Sequence, residues 1–267
     1  MDASRNGNFT SSEIAQLTKS GTETMSEEEL AQYKLDNPKG RRTTKDVIFG
    51  EAARTYISEK NMERRLGRSL DSETNAKPMN WGKLVEKRVF DMLGISYKES
   101  SVETIKHPRY DFWWGSPDGQ KFDEGGTVAE IKCPFTLKSF CTFIDATIGL
   151  DGIDAMNAIR EQHSDGEKYY WQMVSNAILL GTKYAELIIY MPYKDELDDI
   201  KRLAQSMPVE DLSKYYGLAQ SNDNELPYLI EGGYYKNLNI IRFEVPESDK
   251  QALTERVLLA SKLLITV

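Results

Sequence analysis

The stretch from Thr127 to Cys133 limits the fold more than any other part of the chain. It reads TVAEIKC and is followed by proline, a pattern that predicts a short strand with a defined end. Side chains alternate between the two faces of a strand, so Glu130 and Lys132 share one face. Ala129 and Ile131 share the opposite face, which points into the core. The chain must therefore build a sheet that gathers charged groups on one face of this strand.

A second carboxylate is predicted close to this strand. Asp118 lies twelve positions before Glu130, in the turn-forming sequence SPDG. Two carboxylates that converge on one point repel each other, and divalent cations neutralise such a site. Lys132 then has a role in steering a water molecule or stabilising charge at phosphorus. PD followed by EIK is the PD-(D/E)XK nuclease pattern, although exposed strands often alternate acidic and basic residues without any such function.

Two further polar residues lie on predicted helices. Glu86 stands four residues before Phe90, which puts a carboxylate on the edge of an apolar helix face. A lone glutamate there is commonly a surface residue, but beside a metal it becomes a third acid. Gln172 follows Tyr169 by one turn of a later helix and is a candidate for holding a water or a phosphate. Tyr169 itself is equally well explained as a core aromatic residue.

The cysteine and histidine content excludes several kinds of metal site. The chain has two cysteines, Cys133 and Cys141, too few for a disulfide framework or for a cluster held by four thiolates. Its two histidines, His107 and His163, are far apart and have no cysteine pair nearby, which leaves little for a zinc site. Metal chemistry must therefore rest on carboxylates, which favour Mg²⁺ or Mn²⁺.

The charge distribution gives a mixed indication about nucleic acid. A formal net charge of −8 opposes phosphate binding, which needs clustered lysine and arginine. Two segments, 39–45 and 60–68, are nevertheless locally basic. Each is either part of a DNA-binding surface or simply a solvated stretch, and the sequence leaves both open.

Apolar periodicity and turn residues predict an alternation of helices and strands. Helices are predicted over 10–20, 44–60, 81–93, 167–180 and 248–264, and strands over 110–115, 127–133, 187–191 and 239–245. Residues 20–39 are polar and acidic, which predicts a loop or mobile arm. Gly181 is expected to end the helix before it.

The length of 267 residues suits one α/β domain, with inserted segments at about 144–168 and 194–235. A hydrophobic content of 40% predicts a packed interior rather than disorder. No apolar run approaches the roughly 20 residues that cross a bilayer, and the first residues carry no signal pattern, so a cytoplasmic protein without membrane contact is expected.

Four motifs in order give the sequence a specific resemblance. These are NAKPMNWGKLVE (75–86), SPDG (116–119), EIKCPFT (130–136) and YYWQ (169–172). Together they resemble the lambda exonuclease and YqaJ-type viral recombinase family, and the likeness extends from Arg5 to about residue 191. This resemblance implies an α/β fold with a PD-(D/E)XK core, in which helices flank a central mixed β-sheet.

The same resemblance implies roles for individual residues. Asp118, Glu130 and the Ile131 carbonyl are implied as metal ligands, with Glu86 assisting at a second ion. Lys132 is implied to contact the attacking water, and Gln172 to orient it. For DNA, the resemblance implies that Arg5 and Ser12 bind the terminal 5′-phosphate, and it puts Tyr169 at a site position.

The implied activity is a Mg²⁺-dependent 5′-to-3′ exonuclease on linear double-stranded DNA. Its product is a 3′ single strand, passed to a single-strand annealing protein in phage-type recombination, in the host cytoplasm if the gene is phage-borne. A closed ring, most simply a trimer, is expected to encircle the DNA. No GxxxxGK[ST] motif is present, so no ATP site of that kind is indicated. The alternatives are an end-independent endonuclease and a non-catalytic DNA-binding or scaffold protein of the same fold.

Overall fold

The structure is a computed structural model that describes residues 6–70, 76–99 and 104–266. The strands are β1 (Phe9–Thr10), β2 (Gly21–Thr24), β3 (Thr44–Val47), β4 (Tyr97–Glu99), β5 (Ile105–Lys106), β6 (Trp113–Gly115), β7 (Gly119–Lys121), β8 (Thr127–Lys132), β9 (Tyr184–Tyr190) and β10 (Leu238–Glu244). The α-helices are α1 (Glu27–Asp36), α2 (Glu51–Leu66), α3 (Lys77–Leu93), α4 (Leu137–Ala146), α5 (Gly152–Gln162), α6 (Gly166–Leu180), α7 (Leu197–Gln205), α8 (Val209–Ala219) and α9 (Glu247–Ser261). Across the described ranges, no helix combines the length and the apolar character that a membrane span requires.

The main sheet has five strands in the order β10-β9-β8-β7-β4. β8 and β9 are parallel, and the other neighbouring pairs are antiparallel. The parallel pair is connected by α4, α5 and α6, because a parallel pair needs a long crossover. β8 is the central strand, so it is held on both edges. The predicted fold class, an α/β fold with a mixed sheet flanked by helices, is confirmed.

An apolar cluster covers each face of this sheet. On one face, Ala129 and Ile131 of β8 pack with Trp81 and Val85 of α3 and with residues of α7 and α8. On the other face, Val128 packs with residues of α4, α5 and α6. The face that carries Glu130 is therefore covered by helices rather than exposed to solvent.

Both inserted segments contribute to these clusters. Met156 and Ile159 of α5 lie in the cluster that contains Val128 and α6, and Ile200 of α7 and Tyr215 of α8 lie in the cluster around α3. They are thus packed onto the sheet, and the single-domain organisation stays a prediction.

The prediction of a loop over 20–39 was wrong. β2 pairs antiparallel with β3, and α1 follows it. α1 begins with a capping box, in which Ser26 Oγ accepts from the Glu29 amide at 3.2 Å and the Glu29 carboxylate accepts from the Ser26 amide at 2.9 Å. The predicted helix at 44–60 also begins later, at Glu51, because its first four residues form β3.

Two shorter elements differ from prediction in type or length. The segment from Ser11 to Thr18 is a 3-10 helix rather than an α-helix. Of the strand predicted over 110–115, only the last three residues form β6. Tyr110 instead lies in a turn, where its ring stacks on His107 at a centroid distance of 4.6 Å.

Helix α2 binds segments from both ends of the described chain. Arg64 donates to the Gly7 carbonyl at 2.7 Å and to the Ile265 carbonyl at 2.9 Å. Asn61 Oδ1 accepts from the Ile265 amide at 2.8 Å, and Glu63 accepts from the Gly7 amide at 2.9 Å. One helix thus fixes the positions of two segments that are far apart in sequence.

Helices α5 and α6 approach closely at Gly166, the first residue of α6. A Cβ atom there would lie 2.2 Å from the Ile159 carbonyl oxygen, which belongs to the backbone of α5 and has little freedom to move. We expect Gly166→Ala to lower the free energy of unfolding by about 1 to 3 kcal/mol, the range typical of overpacked sites.

A matched substitution provides the control. A Cβ at Gly217, inside α8, meets no atom within 4 Å. Gly217→Ala should leave stability unchanged or raise it by up to about 1 kcal/mol, because alanine is the better helix former. Urea unfolding of the two variants measures the difference, and equal stabilities would contradict the close approach of α5 and α6.

Candidate active site

Strand β8 holds an acid and a base in direct contact. Lys132 Nζ lies 2.5 Å from Glu130 Oε1, as expected for side chains two residues apart on one face of a strand. Glu130 is 1% exposed, while the Lys132 side chain is 21% exposed. The carboxylate therefore lies at the bottom of the site, with the ammonium between it and solvent.

Asp118 reaches this site from the residue before β7. The pairing of β7 with β8 ends where Gly119 faces Ala129. Beyond that point, Asp118 Oδ2 accepts a hydrogen bond from the Ile131 amide at 2.7 Å. The Asp118 carboxylate thus takes the place of a strand partner for the Ile131 amide. This hydrogen bond holds Asp118 beside Glu130.

Helix α6 contributes two residues that contact Glu130 and Lys132. Gln172 is buried and its Nε2 donates to Glu130 Oε1 at 2.5 Å. Tyr169, one turn earlier, lies with its ring centroid 4.7 Å from Lys132 Nζ, a cation–π contact. One oxygen of Glu130 therefore has two donors, from Lys132 and Gln172.

A cavity of about 360 Å³ opens onto these groups. Glu86 of α3 lines it together with Ile131, Lys132 and Tyr169. The structure thus brings together five predicted catalytic residues, namely Glu86, Asp118, Glu130, Lys132 and Gln172.

Burial and the charge of Asp118 raise the proton affinity of the other two acids. Burial, followed by repulsion from Asp118, raises the pKa of Glu86 to about 8 and the pKa of Glu130 to about 8. Burial also raises the pKa of Asp118. Burial alone would lower the pKa of Lys132, but the carboxylates of Glu130 and Asp118 outweigh it and raise that pKa. Lys132 carries one positive charge and cannot neutralise all three carboxylates.

The donor set fits a hard divalent cation. Glu130 Oε2 is buried and has no hydrogen-bond partner in the described part of the chain, so a carboxylate lone pair is left for another ligand. Carboxylate oxygens are the ligands that Mg²⁺ and Mn²⁺ prefer. Among residues 6–70, 76–99 and 104–266, no three Asp, Glu, His or Cys side chains already converge as a complete metal cage. Asp118 and one Glu130 oxygen are instead engaged by protein donors.

The residues predicted to bind the 5′-phosphate lie elsewhere or outside the described chain. Ser12 is on the 3-10 helix, with Oγ 3.3 Å from Thr10 Oγ1, and it does not line the catalytic cavity. That helix packs on α6 through a 2.7 Å contact between the hydroxyls of Ser11 and Ser175. Arg5 lies outside the described residues.

Several cavity residues were not predicted. Met79 and Lys83 line the cavity together with Glu86, and their spacing on α3 puts all three on one face. That spacing is a signal that the sequence contains. Ser139 and Phe143 of α4 also line the cavity, and no local pattern indicates this because their position depends on the crossover.

Two solved structures resemble this fold. One is an alkaline exonuclease (LHK-Exo) from Laribacter hongkongensis, with a TM-score of 0.53 and 16% identity over 98% of this chain and 90% of that chain. The other is a phage related exonuclease from Haemophilus somnus 129PT, with a TM-score of 0.58 and 14% identity over 96% of this chain and 92% of that chain. At these identities the likeness establishes the fold.

Sequence comparison establishes the family. Curated proteins gave no match to the chain. The profile of the YqaJ-like viral recombinase domain, however, matches residues 3–184, which include every predicted site residue. Because the match covers well over half of the sequence, the chain belongs to the YqaJ-like viral recombinase domain family.

Proposed function

We propose that this protein is a metal-dependent deoxyribonuclease that degrades linear double-stranded DNA from the 5′ end. The observation that carries the proposal is the cluster of Asp118, Glu130 and Lys132 at the end of β8, with Gln172 and Glu86 around it. Two acids and a lysine buried together have a high free-energy cost that a structural role does not require.

The residues present suggest how the metal would be held. Asp118, Glu130 and the Ile131 carbonyl would bind one Mg²⁺ or Mn²⁺, and Glu86 would assist at a second. A bound divalent cation supplies activation of water and neutralisation of charge on the phosphate. The unpartnered Glu130 Oε2 supports this assignment.

The protein groups act on the water and the phosphate. Water attacks phosphorus, the bond from phosphorus to the 3′ oxygen breaks, and that oxygen takes up a proton. Lys132, kept protonated by its carboxylate neighbours, contacts the attacking water and stabilises negative charge in the transition state. Gln172 holds the Glu130 carboxylate and orients the water.

The family and the neighbours support the exonuclease activity, and the 5′-to-3′ direction rests on the resemblance of the sequence motifs to lambda exonuclease. The family is that of viral recombinases, and both neighbours are exonucleases by name. An exonuclease that degrades one strand from its 5′ end leaves the other strand as a 3′ single-stranded overhang, which a single-strand annealing protein then binds. An end-independent endonuclease and a non-catalytic scaffold are the outcomes that would refute this proposal.

The first prediction concerns the catalytic cluster. Glu130→Ala and Lys132→Ala should each reduce DNA hydrolysis by at least roughly 10²-fold, because one removes a metal ligand and the other a transition-state contact. Glu124→Ala and Lys262→Ala, which remove exposed charges, serve as matched controls. The rate of nucleotide release from linear duplex, with Mg²⁺ or EDTA, is the measurement. Substantial Mg²⁺-dependent activity in both cluster variants would refute the assignment.

The second prediction concerns DNA ends. Ser12→Ala and Arg5→Ala should slow digestion of 5′-phosphorylated duplex much more than that of 5′-hydroxyl duplex, since both side chains are proposed to bind the phosphate. Ser206→Ala, at the exposed end of α7, is the control. A wild-type protein that digests both ends equally, or that cuts covalently closed duplex, would contradict an end-dependent enzyme.

The third prediction is a closed ring, most simply a trimer, that encircles DNA. Several cations of segments 39–45 and 60–68 are already engaged: Arg42 pairs with Asp46 at 2.5 Å and Lys60 with Glu63 at 2.9 Å. Because of these ion pairs and the net charge of −8, a single subunit attracts DNA only weakly. A ring that surrounds the DNA would offset this weak attraction.

Light scattering should give about three times the chain mass of 30.5 kDa. Digestion of bound duplex should continue for many nucleotides after excess competitor DNA is added. A mass of one chain, together with digestion that stops at once, would exclude the ring.

A further inference from the structure

A second cavity lies beside the catalytic one. It has a volume of about 330 Å³ and is formed by the first turn of α4 and the end of α5. Ser139 lines both cavities. Its lining, within the described residues, contains serine, threonine, glutamine, histidine and Lys138 but no acidic residue. In a chain with a net charge of −8, this is a surface suited to an anion.

Hydrogen bonds fix the tautomer of His163 at the base of this cavity. The Asp165 amide donates to His163 Nδ1 at 3.1 Å, so Nδ1 must be the unprotonated acceptor. The proton of the neutral ring is therefore assigned to Nε2, which donates to Ser139 Oγ at 2.8 Å. The ring is 7% exposed and stacks on Phe143 with centroids 3.7 Å apart, which holds its orientation.

This arrangement makes Ser139 a hydrogen-bond donor toward the cavity. Its Oγ accepts from His163, so its own proton needs an acceptor, and the hydrogen bonds of the described residues include none. A serine hydroxyl that cannot donate within the protein donates to a ligand or to water.

Lys138 adds a charge that the protein does not neutralise. It is exposed beside Ser139, and its ammonium makes no ion pair in the described chain. In contrast, Lys60 and Lys201 each pair with a carboxylate. Lysine binds phosphate as a point charge, and a neighbouring hydroxyl supplies direction.

We infer that the second cavity binds an internal backbone phosphate of the DNA strand whose adjacent phosphodiester lies in the catalytic cavity. The inference rests on the proposed function and adds a substrate subsite to it. The two cavities meet at Ser139, so a DNA strand with one phosphodiester in the catalytic cavity brings a neighbouring phosphate toward the second cavity. Lys138 and Ser139 contact the phosphate, and His163 is a positioning residue for Ser139.

The test measures DNA binding without hydrolysis. Fluorescence anisotropy in EDTA gives Kd for a 5′-hydroxyl duplex at several salt concentrations. Lys138→Gln should weaken binding by about 3- to 10-fold at 0.1 M salt and reduce the slope of log K against log salt by about 1, as for one lost phosphate contact. Lys262→Gln, which removes an equal charge from the end of α9, should change neither by as much.

A double-mutant cycle tests the role of His163. His163→Phe keeps an aromatic ring to stack on Phe143 but removes the Nε2 donor, and Ser139→Ala removes the hydroxyl. Each substitution should raise Kd. The Kd of the double variant should not exceed the higher of the two single-variant values, since both substitutions remove the same hydrogen bond. Additive losses, or no change in Kd and salt slope for Lys138→Gln, would overturn the inference.

Two further arms separate the explanations. If the losses occur only with 5′-phosphorylated duplex, the cavity binds a terminal phosphate and the inference is wrong. Hydrolysis by the wild type is measured in parallel with Mg²⁺. A wild type that binds DNA with the expected variant effects but does not hydrolyse it refutes the proposed function alone, whereas active variants with unchanged binding refute only the second phosphate site.

Discussion

Three carboxylates gathered around Lys132 are the constraint on which the rest of this structure depends. Burial and the charge of Asp118 raise the pKa values of Glu86 and Glu130, and Lys132 offsets only part of this effect. The fold accommodates this by fixing every group: strand β8 sets Glu130 and Lys132 two residues apart, and the Ile131 amide holds Asp118. Helix α6 supplies Gln172. Such a group of carboxylates favours cation binding, because a bound cation removes the repulsion between them.

The sequence could predict that Asp118, Glu130 and Lys132 lie together, because the elements that carry them are local. Alternation within a single strand determines that Glu130 and Lys132 share a face, and a tight turn before a hairpin brings Asp118 to the same strand. Gln172 lies on a helix whose end at Gly181 is marked by a glycine with φ of 68°. Such features need no knowledge of distant contacts, whereas the roles proposed for these residues came from the family resemblance.

The errors concern elements that exist only through distant partners. Residues 20–39 look like a polar loop because β2 gains its stability from β3, and α1 has no buried residue to produce an apolar period. Ser139 and His163 are 24 residues apart on two helices of a crossover, and nothing in either local sequence announces their contact. The capping box of Ser26 and Glu29 was readable, however, and it shows that a helix start can be identified where periodicity is weak.

Helix α2 binds two segments that are far apart in sequence, one at Gly7 and one at Ile265. Asn61 and Arg64 hold the two segments side by side through backbone hydrogen bonds that do not depend on side-chain identity in either segment. A change at Arg64 is therefore expected to act at two places at once, because the same guanidinium group binds the backbone at Gly7 and at Ile265.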